Sequence, residues 1–208
     1  KTCGELGDAP AGFLRSKFGI VGETLKLMGQ GICNRPLALR EEDPKSIGHS
    51  RTLPHDVIDG EDIRKSLLQL SDMVGRRARK HGFTGQTVTL TIRYADFETF
   101  TRQGALHQPT NTTHDIFEKV IEIVGGIRLR DRVRLLGVSL SGLLRDDCQM
   151  TLLADREKER SLLRAVDAVN DRFGDFKLTW ASYLRQIGEP SVISPAWRPS
   201  GVRNVKIK

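Results

Sequence analysis

Thr87-Val88-Thr89-Leu90-Thr91-Ile92-Arg93-Tyr94 alternates polar and apolar residues without a break. Such period-two alternation puts Val88, Leu90, Ile92 and Tyr94 on one face of a strand and Thr87, Thr89, Thr91 and Arg93 on the other. One face is then buried and the other wet. Before this strand, Asp59 can cap a helix, with Asp62 three residues on. Ile63, Leu67, Leu70, Val74 and Ala78 form its apolar stripe, Arg76, Arg77, Arg79 and Lys80 suit its C-terminal turn, and Gly82 ends it. Lys45 to Leu53, further upstream, reads as a first strand. Downstream, a third strand runs from about Phe97 to Leu106. Thr112 then caps a second helix, with Asp115 in capping-box position, Ile116, Val120 and Ile123 as its stripe, and Gly125-Gly126 as its stop. Arg132 to Leu144 is a fourth strand. Val133 and Leu135 share one of its faces and Leu136, Val138 and Leu140 the other, so a β-bulge is expected near Leu135-Leu136. The stretch 45–144 is thus an α+β unit of order βαββαβ. Its four-stranded sheet carries two helices on one face and leaves the other free.

The flanks read differently. Residues 1–35 suit three short helices: Gly4 to Ala9 stopped by Pro10, Ala11 to Phe18 ended by Gly19, and a third with Val21, Leu25 and Met28 on one face. Helices this short need partners to be stable. Asn34 to Pro44 is a polar linker holding the run Glu41-Glu42-Asp43. A last helix is expected over Arg156 to Phe173, capped by Asp155, with the stripe Leu162, Val166, Val169 and Phe173. The proline-containing tail from Gly188 onward is expected to lie against the body, with Trp180 and Trp197 as anchors.

Composition narrows the functional classes. The 208 residues carry 33 Lys and Arg against 26 Asp and Glu, a net charge of +7, and several arginines fall in strands. That balance points to a polyanionic partner. Cys3, Cys33 and Cys148 are widely spaced and form no zinc pattern, and their odd number without a signal peptide argues for a reducing cytoplasm. No apolar run reaches the length of a membrane span. The chain starts at Lys1 without Met and reads as a piece of something larger. The acidic pairs Glu41-Glu42 and Asp146-Asp147 fall in linkers and read as solvated loop charges, not as metal-holding carboxylates. His49, His55, His81, His107 and His114 show no metal spacing and read as surface or turn residues. No nucleophile-elbow or phosphate-loop motif occurs.

The wet sheet face is therefore the candidate site. Ser46 and Gly48 share a face of the first strand, Thr91 and Arg93 the polar face of the second. Thr101 and Arg102 stand mid-strand in the third, and Arg134 in the fourth. Hydroxyls, backbone N–H groups and arginines are common phosphate partners and carry little base information. A second candidate is Gln149-Met150-Thr151-Leu152-Leu153, a spacing able to dock an extended segment into an apolar groove, or equally to pack as a fifth strand on its own domain.

Lys45-Ser46-Ile47-Gly48-His49, Arg93-Tyr94-Ala95-Asp96-Phe97, Thr101-Arg102 and Arg134-Leu135-Leu136-Gly137-Val138 resemble, in order and spacing, the little-finger domain of Y-family translesion DNA polymerases of the DinB type. Thr2 to Pro36 is similar to the end of that family's thumb, and Gln149 to Leu153 to its sliding-clamp-binding peptide. Ala168 to Gly174 resembles the helix that follows the peptide. The resemblance implies a thumb remnant over 1–36, a linker over 37–44, a little finger over 45–144 and an extension over 145–208. It implies DNA contacts at Lys45, Ser46, Arg93, Thr101, Arg102 and Arg134. Leu135 stands where the family often has a second basic residue, which either weakens that contact or moves it to Arg132. Gln149, Met150, Leu152 and Leu153 would bind the clamp, with Leu153 where the family usually has Phe. The whole enzyme would be a bacterial, cytoplasmic DNA-directed DNA polymerase using Mg²⁺ held by palm carboxylates. That palm is outside these residues, so neither a catalytic residue nor a metal ligand or cofactor is expected among them.

Two other classes share parts of this pattern. An RNA-recognition module has the same βαββαβ order and would need aromatics stacked on the open face; Tyr94 and Phe100 are the only candidates, Tyr94 is expected to face the core, and no RNP1 sequence occurs. A protein-interaction module would leave the sheet inert and bind through the Gln149–Leu153 peptide.

Overall fold

The computed structural model describes residues 2–34, 43–146, 154–186 and 193–195. The chain divides into two compact units, Lys1–Asp43 and Pro44–Lys208.

The first unit holds α1 (Cys3–Asp8), α2 (Ala11–Phe18) and α3 (Val21–Gly29). Thr2 opens α1 with a reciprocal box. Its hydroxyl accepts from the Glu5 N–H at 3.2 Å, and the Glu5 carboxylate accepts from the Thr2 N–H at 3.1 Å. The expected α3 stripe is not buried: Val21 and Met28 are exposed. These helices meet through glycines instead. A Cβ on Gly29 would stand 2.5 Å from the Gly7 nitrogen, and one on Gly22 2.5 Å from the Leu14 carbonyl. Backbones this close leave no room for side chains between them, so Phe13, Phe18, Val21 and Met28 turn outward while Leu14 is buried. Lys26 Nζ ties the helices by donating to the Gly7 and Ala9 carbonyls, each at 2.8 Å.

The second unit is α+β. Its strands are β1 (Ser46–Val57), β2 (Phe83–Tyr94), β3 (Thr99–Thr110), β4 (Val133–Ser141), β5 (Leu144–Arg145) and β6 (Ile193–Pro195). The sheet order is β3-β2-β4-β1-β6, every neighbour antiparallel, with β5 paired to the start of β2. Helix α4 (Gly60–Lys80) joins β1 to β2 with β4 between them. Helix α5 (Thr113–Gly125) joins β3 to β4 with β2 between them. Two βαβ units are thereby interlocked. Asp59 caps α4 by accepting from the Glu61 N–H, and Thr112 caps α5 by accepting from the Asp115 N–H. Ile63, Leu67, Leu70, Val74 and Ala78 of α4 and Ile116 and Val120 of α5 pack with Val88, Leu90, Ile92 and Tyr94 in one core. Both helices thus cover the same sheet face.

β1 and β3 run further at their C-terminal ends and β2 at its N-terminal end than the sequence indicates, whereas β3 starts at Thr99 and β4 stops at Ser141, short of the expected Leu144. β1 continues through Pro54 to Val57, but its pairing with β4 is interrupted between Thr52 and Val57, where a proline costs no ladder bond. β3 continues through Pro109 to Thr110, as an edge strand can. The bulge lies one residue earlier than expected. Arg93 pairs with Leu135 and Tyr94 with Val133, which leaves Arg134 as the extra residue. Val133 therefore joins Leu136, Val138 and Leu140 in the core and does not share a face with Leu135.

Polar side chains are buried where the sequence predicts a surface. His49 and Arg51 occupy core-facing positions of β1 between Ile47 and Leu53, so His49 is not a surface residue. Arg51 Nη1 donates to Gln69 Oε1 on α4 at 2.5 Å. Burial, with Arg77 nearby, pushes the His49 imidazole down to about 3. Asp146 is half-buried, not a solvated loop charge. It accepts from Asn111 Nδ2 at 3.1 Å and from Arg160 Nη2 at 3.1 Å. Asp147 and Glu41-Glu42 lie outside the described residues.

Helix α6 (Ala154–Phe173) starts ahead of its expected cap, so Asp155 lies within it. Its docking on α4 is polar. Arg79 forks onto Asp167 at 2.6 and 2.9 Å, and Arg76 reaches Asp171 at 2.8 Å and Asp175 at 2.6 Å. These pairs rotate the helix, burying Leu163 and Asn170 and exposing Leu162 and Phe173 of the expected stripe. Trp180 is exposed. The anchor is Tyr183, fully buried in the 3₁₀ turn Ala181–Gln186, with its hydroxyl donating to Asp72 Oδ2 at 2.8 Å. Trp197 lies outside the described residues. The tail does return to the body, where β6 pairs with His49–Arg51 at the sheet edge.

Candidate nucleic-acid interface

The sheet face opposite α4 and α5 can be mapped from its register. Thr99, Arg93, Leu135 and Thr52 form one row across β3, β2, β4 and β1. Thr101, Thr91, Gly137 and Ser50 form the next, then Gln103, Thr89, Ser139 and Gly48, then Ala105, Thr87, Ser141 and Ser46. The face is a grid of short hydroxyls. Two glycines keep its middle low. A Cβ on Gly48 would stand 2.7 Å from Ser139 Cβ, and one on Gly137 3.2 Å from Ser50 Cβ and 3.3 Å from Thr91 Cβ. The result is a shallow, neutral surface on which a broad convex partner can approach the backbone closely.

Its charge sits mainly at one end. Arg93 Nε donates to Thr99 Oγ1 at 2.7 Å, which aims the side chain along the face. The bulge turns Arg134 to the same side, where Nη1 lies 3.4 Å from Asp56 Oδ1 and the guanidinium stands 4.9 Å from the Phe97 ring centroid. Arg132 is exposed just before β4. Arg130 takes up both carboxylates of the neighbouring turn, Asp96 at 2.8 Å and Glu98 at 2.5 Å. Among the described residues this leaves the side chains of Arg93 and Arg132 without a carboxylate partner. Lys45 is exposed at the other end, just before Ser46, which lies six residues along β1 from Thr52. At the rise of a strand that is about 20 Å.

The structure therefore gathers Ser46, Arg93, Thr101 and Arg134 on one face, with Lys45 and Arg132 at its ends. It separates Arg102 from them. Arg102 pairs with Leu90, a core position, so its side chain leaves β3 toward the helix-covered side. There it lies over Phe100, 5.4 Å from the ring centroid, at the sheet edge. Consecutive strand residues point to opposite faces, so Thr101 and Arg102 could not both belong to this surface. Ser50, Thr52, Ser139 and Ser141 were missed in the sequence, although the first two only continue the Ser46-Gly48 alternation. Gln149, Met150, Leu152 and Leu153 lie outside the described residues.

The arrangement offers hydroxyl and guanidinium donors, as phosphate recognition requires. It offers no base-stacking platform on its strands. Tyr94, 3% exposed, and Phe100 both lie on the helix side with their rings 5.5 Å apart. That removes the feature an RNA-recognition sheet needs. No group of three or more His, Cys, Asp or Glu among the described residues could hold a metal ion, and none of the described helices is long and apolar enough to cross a membrane.

Comparison with known proteins adds an independent finding. Residues 44–152 match the impB/mucB/samB family C-terminal domain. The chain is 39% identical over 194 residues to DNA polymerase IV 2 of Bacillus subtilis, covering 90% of this chain and 47% of that protein. It is 34% identical over 190 residues to DNA polymerase IV of Pelotomaculum thermopropionicum, covering 90% and 47%. With DNA polymerase IV of Moorella thermoacetica the identity is 36% over 177 residues, covering 84% and 44%. The chain spans about half the length of the curated relatives it matches.

Proposed function

The chain belongs to the impB/mucB/samB family, whose C-terminal domain it contains, and on that premise we propose that it is the DNA-gripping part of a DinB-type translesion polymerase, with 45–144 as its little finger. The observation that carries this reading is the open sheet face: a low grid of hydroxyls and glycines ending in Arg93 and Arg134. Such a face can follow the backbone of duplex DNA without reading its bases. Ser46, Thr101, Arg93 and Arg134 are the contacts, extended by Lys45 and Arg132 at the two ends. Arg102 reaches DNA only around the sheet edge. Chemistry would come from the other half of the polymerase, with its Mg²⁺.

Replacing Arg93 and Arg134 together by Ala tests the reading. Binding to several unrelated duplexes, followed by fluorescence anisotropy, should weaken by the same factor on each. A loss confined to certain sequences would mean base readout and count against a phosphate grip.

The peptide Gln149–Leu153 is assigned to the sliding clamp, on its resemblance to the family's clamp peptide. Deleting it should abolish clamp binding and leave the affinity of the isolated chain for DNA unchanged. The two weak attachments would then reinforce each other through effective concentration.

A further inference from the structure

Phe97 closes the turn between β2 and β3 with φ of 68°. Bulky L residues are strained in that left-handed region, where glycine is at ease. The turn itself does not need the ring. The Phe97 N–H donates to the Tyr94 carbonyl at 3.0 Å, and Asp96 Oδ1 accepts from the Glu98 N–H at 2.9 Å. Nor does the core need it, since Phe97 is 63% exposed. Among the described residues its ring partner is the guanidinium of Arg134, 4.9 Å from the centroid.

We infer that Phe97 is a positioning residue of the DNA grip: its ring holds the Arg134 guanidinium at the end of the open face, ready for a phosphate. The inference rests on the reading of that face given above. Stacking occupies the flat side of a guanidinium, whereas hydrogen bonds to phosphate leave from its edge, so the two do not compete. The surrounding charges agree. Asp56 holds Nη1 only at 3.4 Å. Asp96 and Glu98, the acids nearest the ring in the turn, are taken by Arg130. Arg134 therefore keeps most of its five donors for a ligand. Because Arg134 is the bulge residue of β4, its backbone fixes it less firmly than a ladder residue, and a side-chain platform has a use there.

The test uses the 208-residue chain and a short blunt duplex, with affinity measured across a range of salt concentrations. Phe97→Gly should keep or raise the thermal midpoint, because it relieves the turn, yet lower the affinity several-fold. Its log–log salt slope should become shallower by about 0.9, the value of one phosphate contact. Arg134→Gln should do the same to affinity and slope, and the double variant should lose no more than either single one. Phe97→Tyr should retain the parent affinity. Unchanged affinity and slope in Phe97→Gly would overturn the inference. So would a fall in thermal midpoint with an affinity loss additive to that of Arg134→Gln, since the ring would then be merely structural. If the parent chain bound DNA without salt dependence, the reading of the face would fail and this inference with it. A steep parent slope with an unchanged variant overturns the inference alone.

Discussion

Arg93 and Arg102 are both strand arginines, one on β2 and one on β3, and they leave the sheet on opposite sides. Replacing each with Gln should therefore separate them. Arg93→Gln should flatten the salt slope of duplex binding by about 0.9, and Arg102→Gln by clearly less. Equal effects would mean that the partner wraps the β3 edge. Arg93 was legible because its strand alternates cleanly. His49 and Arg51 were not, because their polar side chains hide a core-facing phase that only Gln69 and the packing of α4 reveal. His49 also makes a pH prediction. Its imidazole is held at about 3 in the fold, below its ordinary 6.5, so the unfolded chain takes up the proton first. Its contribution to stability is complete above 6.5 and is lost as pH falls toward 3, at up to about 1.4 kcal/mol per pH unit. Urea midpoints at pH 7 and 4.5 should differ less in His49→Gln than in the parent. An equal difference would show that other groups carry the acid sensitivity.

Elements divide in the same way. The α4 stripe could be read directly because apolar contact sets its orientation on the sheet. The α6 stripe misled because α6 docks through Arg76 and Arg79 onto Asp167, Asp171 and Asp175, and an apolar count does not register ion pairs. Arg79→Ala should cost roughly 2 kcal/mol, since it breaks a mostly buried, two-pronged contact to a charged group. The loss should appear as faster hydrogen exchange in α6, with β2 and β4 unchanged. Uniform loss of protection would mean that α6 and the sheet open as one unit. The β4 bulge was foreseen from its phase slip, but only the pairing with β2 shows that Arg134 is the residue expelled toward the open face.

At the scale of the molecule, a net charge of +7 is divided between structure and function. Arg76 and Arg79 bind the extension to the body, Arg160 ties α6 back to Asp146, and Arg130 stills a turn. Arg93, Arg132, Arg134 and Lys45 remain to meet a partner, on or beside a face made mainly of hydroxyls and glycine. Our central claim is that this face grips duplex DNA through its phosphates. The most direct test is the affinity of the chain for a short duplex measured against salt concentration. Four cation contacts predict a log–log slope of about −3.6, the same for unrelated sequences. A slope near zero would contradict the claim, whatever the affinity.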